Sequence, residues 1–275
     1  MEPRLVPIAD HALLSDARTA ALVTSDGRID WLCLPRFDSA SCFTNLLGRP
    51  EHGRWLLRPF AEAETTRRYV GNTSILETTH RTATGVVKVT DLMPLGMERA
   101  DLVRIVDCVE GEVEMQHEWI VRFNYGRTRP WVTHLERADD EPEALTAIAG
   151  PDMLVLRSSR SPHAEDGTHR DRWTMKAGDR EKFTMNWFAS WKPVPPPTDV
   201  ERRVARTFET SQAWAAQCTY RGPYEDAVVR SLLVLRLLTD TRRGGIVAAP
   251  TTSLPEDFGG VRNWDYRYCW LRDAA

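Results

Sequence analysis

Short β-prone runs separated by glycine-containing turns fill most of the first 190 residues, and they limit what this chain can fold into. Two such runs flank the dipeptide Asp26-Gly27, which favours the positive φ values of a tight hairpin turn. Four further pairs follow, each joined by a short turn: 74–82 with 86–92, 102–109 with 112–123, 145–149 with 153–158, and 173–176 with 182–191. We therefore expect antiparallel hairpins throughout this region.

Side chains alternate in character along several of these runs. The residues expected on one face of the run 112–123 are Val113, Met115, His117, Trp119 and Val121. A period of two with short connections indicates an antiparallel sheet that buries one face. Roughly ten or more such strands, with no helix-length amphipathic segment before Pro193, predict a mainly β protein built on an antiparallel sandwich.

A proline-rich segment ends the strand pattern. Residues 192–197 read KPVPPP, and prolines, which have no backbone donor, cannot continue a central strand. Directly afterwards, Thr198 and Glu201 have the spacing of a capping box at a helix start. An amphipathic helix of about twenty residues is predicted from six positions that recur at steps of three and four: Val200, Val204, Phe208, Ser211, Ala215 and Cys218. We assign residues 1–195 to the sandwich domain and 196–220 to a linker helix.

A second helix is predicted after Pro223, which suits the first turn of a helix. Its apolar residues cover nearly the whole circumference: Ala227, Val228, Val229, Leu232, Leu233, Leu235 and Leu237. Such a helix must be buried among other helices, and the chain contains few partners for it. We therefore expect residues 221–275 to be the start of a helical domain that is truncated after one helix and one loop.

The chemistry of the chain is concentrated in its last thirty residues. Between Arg262 and Asp273 lie two tryptophans, two tyrosines, three arginines and two aspartates. Flat rings can stack on the apolar face of a sugar, while guanidinium and carboxylate groups hydrogen-bond its hydroxyls. This composition predicts a site for a polyhydroxylated ligand.

Two long segments resemble glycoside hydrolase family 15, which contains the glucoamylases, the glucodextranases and a bacterial trehalase-like group. The first is IADHALLSDARTAALVTSDGRIDWLCLPRFDSASCF at 8–43, which is similar to the trehalase-like sandwich of bacterial members. The second is GIVAAPTTSLPEDFGGVRNWDYRYCWLRDAA at 245–275, which is similar to the start of the catalytic domain. Together the two segments extend the resemblance over the whole chain.

The resemblance implies a β-supersandwich, a linker helix and the first element of an (α/α)6 barrel. It also implies an inverting hydrolase in which one glutamic acid protonates the leaving oxygen and a second glutamate activates water. Both glutamates of the family lie beyond the WLRD segment, so we expect no catalytic residue in this chain and no hydrolysis by it alone. Four residues match family positions that bind the terminal glucosyl unit: Tyr266, Trp270, Arg272 and Asp273.

Each residue of the terminal stretch also has a plainer interpretation. Asp265 and Asp273 could be mistaken for a catalytic carboxylate pair, although the family assigns that role elsewhere. Trp264 and Trp270 could close a core at a helix end, and Asp265 could form an internal ion pair with Arg267. Gly259-Gly260 suits an unusual turn rather than a phosphate loop, because no lysine follows at P-loop spacing.

The upstream candidates are interpreted as structural. Packing is predicted for four tryptophans: Trp31, Trp119, Trp187 and Trp191. His11, His80 and His117 have no partner at metal-site or triad spacing. A polar loop is predicted from Asp10, Asp16 and Arg18, with the alternative that it reaches the mouth of the barrel and influences substrate choice.

Charge and cysteine usage exclude several classes of function. A net charge of −3 gives no electrostatic basis for binding nucleic acid or an anionic membrane. The five cysteines have no zinc-site spacing, and the N-terminus lacks a secretory core, so we expect a cytoplasmic protein with no metal or cofactor. An α-glucoside or oligosaccharide is the expected partner, and a homo-oligomer stays open. One other function also stays open, that of a non-catalytic carbohydrate-binding or structural sandwich module. A sugar epimerase would need a histidine and a carboxylate that converge on one sheet face, and the sequence shows no sign of such a pair.

Overall fold

The computed structural model of the protein describes residues 6–96, 99–136, 141–257 and 259–271. Within them lie seventeen strands, two α-helices and three short 3-10 helices. The strands are β1 His11–Ser15, β2 Ala20–Thr24, β3 Arg28–Cys33, β4 Ser41–Phe43, β5 Arg54–Pro59, β6 Glu64–Tyr69, β7 Leu76–Arg81, β8 Gly85–Leu92, β9 Asp101–Ile120, β10 Trp131–His134, β11 Glu143–Ala149, β12 Asp152–Ser158, β13 His163–Glu165, β14 Thr168–Lys176, β15 Arg180–Ala189, β16 Thr252–Pro255 and β17 Asn263–Asp265. The helices are α1 Val200–Ala215 and α2 Glu225–Leu237, with 3-10 turns at Ile8–Asp10, Asn45–Leu47 and Pro50–His52.

Fifteen of the strands form two antiparallel sheets that share β9. The first sheet runs β1-β2-β3-β5-β9-β14-β13, with β4 added on β3. The second runs β6-β7-β8-β9-β15-β12-β11-β10. The sheets face each other across one core, where the rings of His117 and Phe183 are 4.9 Å apart and the Trp119 indole N–H lies 3.4 Å from Met185 Sδ. The predicted antiparallel sandwich is confirmed.

Strand β9 corrects one of the predicted hairpins. The sequence predicted two strands that meet in a turn at Glu110-Gly111, whereas Asp101–Ile120 is a single strand of 20 residues. Opposite it, Val86 pairs with Glu110 and Val87 pairs with Cys108, so one extra residue is inserted in β9. Gly111 has a φ of +68° next to this bulge. The glycine therefore marks the bulge at which β9 passes from one sheet to the other.

The turn at 177–179 is also different from the prediction. It does connect β14 and β15, but these strands do not pair with each other in the described structure. β14 pairs with β9 over the segment 112–119, and β15 pairs with β9 over 101–107. The turn therefore carries the chain from one sheet to the other beside the bulge. By contrast, the Asp26-Gly27 hairpin is confirmed, with Gly27 at a φ of +81° between β2 and β3.

The face predicted for the run 112–123 is confirmed as buried. Its five residues are at most 3% exposed: Val113, Met115, His117, Trp119 and Val121. They belong to a core that takes side chains from both sheets, including Trp55 and Phe183. This burial on one side of a strand is what the period of two predicts.

Helix α1 begins one residue later than the predicted capping box. Asp199, not Thr198, is the N-cap, and its carboxylate accepts a hydrogen bond of 3.0 Å from the backbone N–H of Arg202. The helix packs on the outer face of the second sheet, where Val200 joins a cluster with Ile75, Leu92, Val103 and Ile105. The helix thus covers one sheet and directs the chain towards α2.

Helix α2 lies against both α1 and the sandwich. Val229 and Leu233 pack on Ala215 of α1, and Arg230 donates a 2.7 Å hydrogen bond to the carbonyl of Thr73. The opposite face stays open within the described residues, with Leu235 49% exposed. No described helix is both long and apolar enough to span a bilayer.

Candidate functional site

Residues 248–257 and 259–268 form the two arms of a hairpin that follows α2, and we refer to them as the terminal hairpin. Strands β16 and β17 pair in it, and the ribbon continues through a 2.9 Å hydrogen bond from Ala249 N–H to the carbonyl of Tyr266. At its tip, Gly260 N–H donates to the carbonyl of Asp257, and Gly259 has a φ of +77°. The predicted turn role of the two glycines is confirmed.

Three aromatic rings lie together at the base of the terminal hairpin. We call Trp264, Tyr266 and Trp270 the aromatic cluster. Tyr266 and Trp270 are stacked, with centroids 5.9 Å apart and planes at 14°, while Trp264 meets Trp270 edge-on at 6.3 Å. Tyr266 and Trp270 are half-buried, and Trp264 is 46% exposed. The exposure of Trp264 does not fit the alternative in which it closes a core, whereas the half-buried Trp270 leaves that alternative open.

Hydrogen bonds orient both indoles of the aromatic cluster. Trp270 Nε1 donates to the backbone carbonyl of Asp265 at 3.1 Å, and Trp264 Nε1 donates to Glu256 Oε1 at 2.9 Å. These two bonds engage the indole edges, while the ring of Trp270 stacks on that of Tyr266. Partly exposed rings whose edges are fixed are suited to stacking against an apolar ligand face.

Asp265 and Arg267 form the predicted internal ion pair. The guanidinium binds both carboxylate oxygens, with Nε at 2.9 Å from Oδ1 and Nη2 at 2.7 Å from Oδ2. Burial by itself raises the pKa of the Asp265 carboxyl, but the hydrogen bonds from Arg267 outweigh burial and leave that pKa below its ordinary value. Asp265 is therefore a structural carboxylate with its charge already engaged, which argues against a catalytic role.

The sandwich holds the terminal hairpin at two points. Arg267 is 5% exposed, and its Nη1 donates to the carbonyl of Ser39 at 2.7 Å. Trp31, fully buried on β3 in a cluster with Leu22 and Cys33, donates its indole N–H to the carbonyl of Pro250 at 2.7 Å. The hairpin is therefore fixed on a rigid β scaffold rather than on the helices alone.

The structure brings two of the four predicted sugar-binding residues together. Tyr266 and Trp270 stack in the aromatic cluster. Arg272 and Asp273 lie outside the described residues, so their predicted contacts with a sugar stay predictions.

Sequence reasoning missed three residues that contact Arg267 from the sandwich side. These are Cys33, whose Sγ lies 3.4 Å from Nη1, Ser39, through its carbonyl, and Tyr125, whose ring centroid is 5.6 Å from the guanidinium. A backbone carbonyl leaves no trace in a sequence. The sequence of Asn124-Tyr125-Gly126 did indicate a turn, because asparagine and glycine both favour turns. In the structure all three residues have positive φ.

The upstream histidines occupy the structural positions predicted for them. His117 Nε2 accepts a 2.7 Å hydrogen bond from the Trp55 indole, and burial, assisted by the positive charge of Arg104, lowers its pKa to about 3. Burial likewise lowers the pKa of His80 to about 4. His11 pairs with Asp30 at 3.1 Å. In the described part of the chain, no three His, Cys, Asp or Glu side chains are grouped as metal ligands.

One histidine does face a carboxylate across neighbouring strands. His117 and Asp171 are register partners on β9 and β14. Asp171 is already engaged, because its Oδ2 accepts a 2.8 Å hydrogen bond from Arg160 Nε and its Oδ1 accepts one from Arg172 N–H. A buried histidine with a lowered pKa, beside a carboxylate that is ion-paired with Arg160, is poorly suited to the proton exchange that an epimerase needs.

Comparison with known proteins places this fold and hairpin in a family. Residues 3–170 match the family described as "Trehalase-like, N-terminal", and residues 222–275 match "Glycosyl hydrolases family 15". The trehalase of Mycobacterium tuberculosis is 34% identical over 301 aligned residues, which include 98% of this chain and 43% of that protein. The trehalase of Thermoplasma volcanium is 29% identical over 96% of this chain and 43% of its own length.

A solved structure supports the fold independently. A bacterial glucoamylase complexed with acarbose matches 98% of this chain and 46% of its own, with a TM-score of 0.64 and 9% sequence identity. The matches first define a class of architecture, a β-sandwich followed by the start of a helical region. The chain belongs to the family described as "Trehalase-like, N-terminal", and its last 54 residues are similar to glycosyl hydrolase family 15. It spans less than half the length of these relatives.

Proposed function

We propose that this chain is the N-terminal part of an inverting α-glucoside hydrolase that releases glucose from trehalose or from the non-reducing ends of α-glucans. The observation that carries the proposal is the stacked, half-exposed pair Tyr266 and Trp270, since the resemblance assigns both residues to the family's glucosyl pocket. Similarity to proteins named trehalase, from bacteria and archaea, favours trehalose over longer glucans.

The role proposed for each residue follows from the chemistry of its side chain. The aromatic cluster contacts the apolar face of a glucosyl ring, while Arg272 and Asp273 hydrogen-bond its hydroxyls. The acid and the base of the inverting mechanism are two glutamates beyond residue 275. On this proposal the 275 residues bind a sugar and do not cleave it.

We propose a division of the chain into domains. The sandwich occupies residues 1–195, the linker helix 196–220, and the first part of the catalytic domain 221–275. The gap between the end of β15 at Ala189 and the start of α1 at Val200 supports the first boundary.

We also propose a cytoplasmic location for the protein. It is supported by five cysteines that are all free thiols, each within the described residues.

Titration of the 275-residue chain with trehalose, followed by calorimetry, tests the binding half of the proposal. We expect weak, saturable binding, with Kd on the order of 1 mM, because the other walls of the pocket are missing. Replacing Trp270 with alanine should abolish it. The matched control is Trp191→Ala, which removes a tryptophan that is 72% exposed on the sandwich.

The same titration decides between the proposal and a sandwich that binds carbohydrate by itself. Loss of binding in Trp191→Ala or in Trp131→Ala, with Trp270→Ala unaffected, would place the sugar on the sandwich. Glucose release from trehalose or maltose by the wild-type chain would show that the catalytic groups are wrongly assigned.

A further inference from the structure

The Arg267 side chain is the most heavily bonded group in the terminal hairpin. It is 5% exposed, and hydrogen bonds use all three of its nitrogens. Two of them bind Asp265 as a fork, and Nη1 binds the carbonyl of Ser39 and lies 3.4 Å from Cys33 Sγ. The planar guanidinium is held by Asp265 on one side and by Ser39 on the other, so it has little freedom to rotate and fixes these two residues relative to each other.

The Arg267 side chain connects the aromatic cluster to the sandwich. The carbonyl of Asp265 accepts the indole N–H of Trp270 at 3.1 Å, while the carboxylate of the same residue is held by Arg267. Trp270 in turn stacks on Tyr266. The position of both rings therefore depends on how Asp265 is held.

On the other side, two separate loops of the sandwich receive the guanidinium. One supplies the carbonyl of Ser39, which follows β3, and the other supplies the ring of Tyr125 at 5.6 Å. Tyr125 has a φ of +57°, between Asn124 at +51° and Gly126 at +82°. Left-handed conformations of non-glycine residues are uncommon and are often found beside functional sites. The backbone here is shaped so that the tyrosine ring reaches the guanidinium.

We infer that Arg267 is a positioning residue through which the sandwich sets the orientation of Trp270 and Tyr266, and thereby the affinity of the site for a sugar. The second half of this inference rests on the proposed function, while the first does not. The sandwich is then a part of the binding site, acting through Ser39 and Tyr125, although neither residue touches the sugar.

The variant Arg267→Lys tests the inference, because lysine keeps the charge and loses the fork. The chain is labelled with 5-fluorotryptophan, whose ten 19F signals report each indole, and the Trp270 signal is identified with Trp270→Phe. Without any sugar, we expect the Trp270 signal to shift or broaden in Arg267→Lys, while the signals of the sandwich core stay in place.

The chain offers a matched control for this variant. Arg160 also binds an aspartate, Asp171, at 2.8 Å and also lies over an aromatic ring, that of Trp173 at 5.2 Å. Arg160→Lys should move the Trp173 signal and leave Trp270 unchanged. An unmoved Trp270 signal in Arg267→Lys, or an equal movement of it in Arg160→Lys, would overturn the inference.

A second variant keeps the test decisive if Arg267→Lys does not fold. Tyr125→Asn removes the ring and leaves the ion pair of Arg267 with Asp265 intact, and asparagine tolerates the left-handed backbone. We expect a smaller displacement of the Trp270 signal in the same direction. No displacement in this folded variant would contradict the part assigned to Tyr125.

Titration with trehalose separates the inference from the proposed function. If the wild-type chain binds trehalose, we expect Arg267→Lys to bind it about tenfold more weakly, and equal affinity would overturn the link to sugar binding. If the wild-type chain does not bind trehalose while Trp270 still moves in Arg267→Lys, the proposed function fails and the positioning role stands.

Discussion

Arg104 is fully buried at the centre of the sandwich. It binds Asp91 through Nε at 2.7 Å, and it donates to the carbonyls of Trp55 and Gly27 at 2.9 and 2.8 Å. Asp91 belongs to the second sheet, and the two carbonyls belong to the first. One guanidinium therefore satisfies polar groups of both sheets in a place that water does not reach.

We expect Arg104→Met to destabilise the protein by about 3–5 kcal/mol, because it leaves the Asp91 carboxylate buried without its partner. Urea unfolding followed by tryptophan fluorescence measures the loss. The control is Arg81→Met, which breaks an ion pair with Glu110 in which both side chains are more than half exposed. It should cost no more than about 1 kcal/mol. Equal losses in the two variants would show that burial of the pair is unimportant.

Asp16 is a buried carboxyl in the loop between β1 and β2. Its Oδ1 accepts hydrogen bonds of 2.9 Å from the backbone N–H groups of Arg18 and Thr19. Burial raises its pKa from 3.8 to about 6, against the opposing effect of those hydrogen bonds. Ser15, the last residue of β1 before this loop, contacts the end of α2, since its Oγ donates to the carbonyl of Leu237. The predicted polar loop thus joins the sandwich to the helices.

The raised pKa predicts a pH-dependent effect of Asp16→Asn. The protonated form is favoured by folding, so this contribution is fully present below pH 3.8 and is lost as the pH rises through about 6. Asparagine keeps the Oδ1 acceptor and carries no charge. We expect the variant to gain up to about 3 kcal/mol over wild type at pH 8, at roughly 1.4 kcal/mol per pKa unit, and nothing near pH 4. Urea unfolding at both pH values measures the difference, and a gain that does not vary with pH would contradict the assignment.

At the scale of elements, a glycine after a strand marks either a hairpin turn or a β-bulge, and the sequence alone did not distinguish the two. Before Gly27 and before Gly111 the chain reads as a strand followed by a turn, and both residues have positive φ. At Gly27 the chain reverses into a hairpin, whereas at Gly111 it continues as a bulged strand. The strands themselves were predictable, because their alternation is local. The hairpin pairings β2-β3, β7-β8 and β11-β12 were predictable as well, whereas the pairing of β14 and β15 with β9 instead of with each other was not.

The bulge predicts a specific cost for Gly111→Ala. A Cβ at this position would lie 2.1 Å from the carbonyl oxygen of Thr84, and φ is +68°. We expect a loss of about 2–4 kcal/mol, measured by urea unfolding, since both backbone strain and a clash with rigid backbone contribute. Gly150 is the matched control, because its φ is +58° and a Cβ there would meet nothing within 4 Å. Gly150→Ala should cost only about 1 kcal/mol. Similar losses would show that the close approach at the bulge is not the cause.

At the scale of the whole molecule, the candidate site could be predicted only in part. The rings of Tyr266 and Trp270 were found, because aromatic residues near arginine and aspartate suggest sugar chemistry and match a family motif. The attachment of the hairpin was not found, because Arg267 meets Ser39 across 228 positions of sequence and through a backbone carbonyl. Contacts of that kind depend on the tertiary fold, which periodicity and spacing do not encode.

The attachment through Trp31 leads to a prediction about the whole molecule. Trp31→Phe removes the donor to the Pro250 carbonyl and leaves most of the ring in the core. One hydrogen bond contributes about 0.5–1.5 kcal/mol, so local opening of the terminal hairpin should become roughly two- to tenfold more frequent. Trypsin cleavage after Arg262, whose side chain is 77% exposed, measures this opening.

The control for Trp31→Phe loses an equivalent bond elsewhere in the sandwich. Trp187 Nε1 donates to Asp152 Oδ1 at 2.9 Å, between β15 and β12. Trp187→Phe should leave cleavage after Arg262 at the wild-type rate, because that bond does not contact the hairpin. Equal acceleration in both variants would mean that the hairpin responds to overall stability alone. Acceleration in Trp31→Phe alone would mean that a buried side chain of the first sheet holds the terminal hairpin in place, over a separation of 219 residues in sequence.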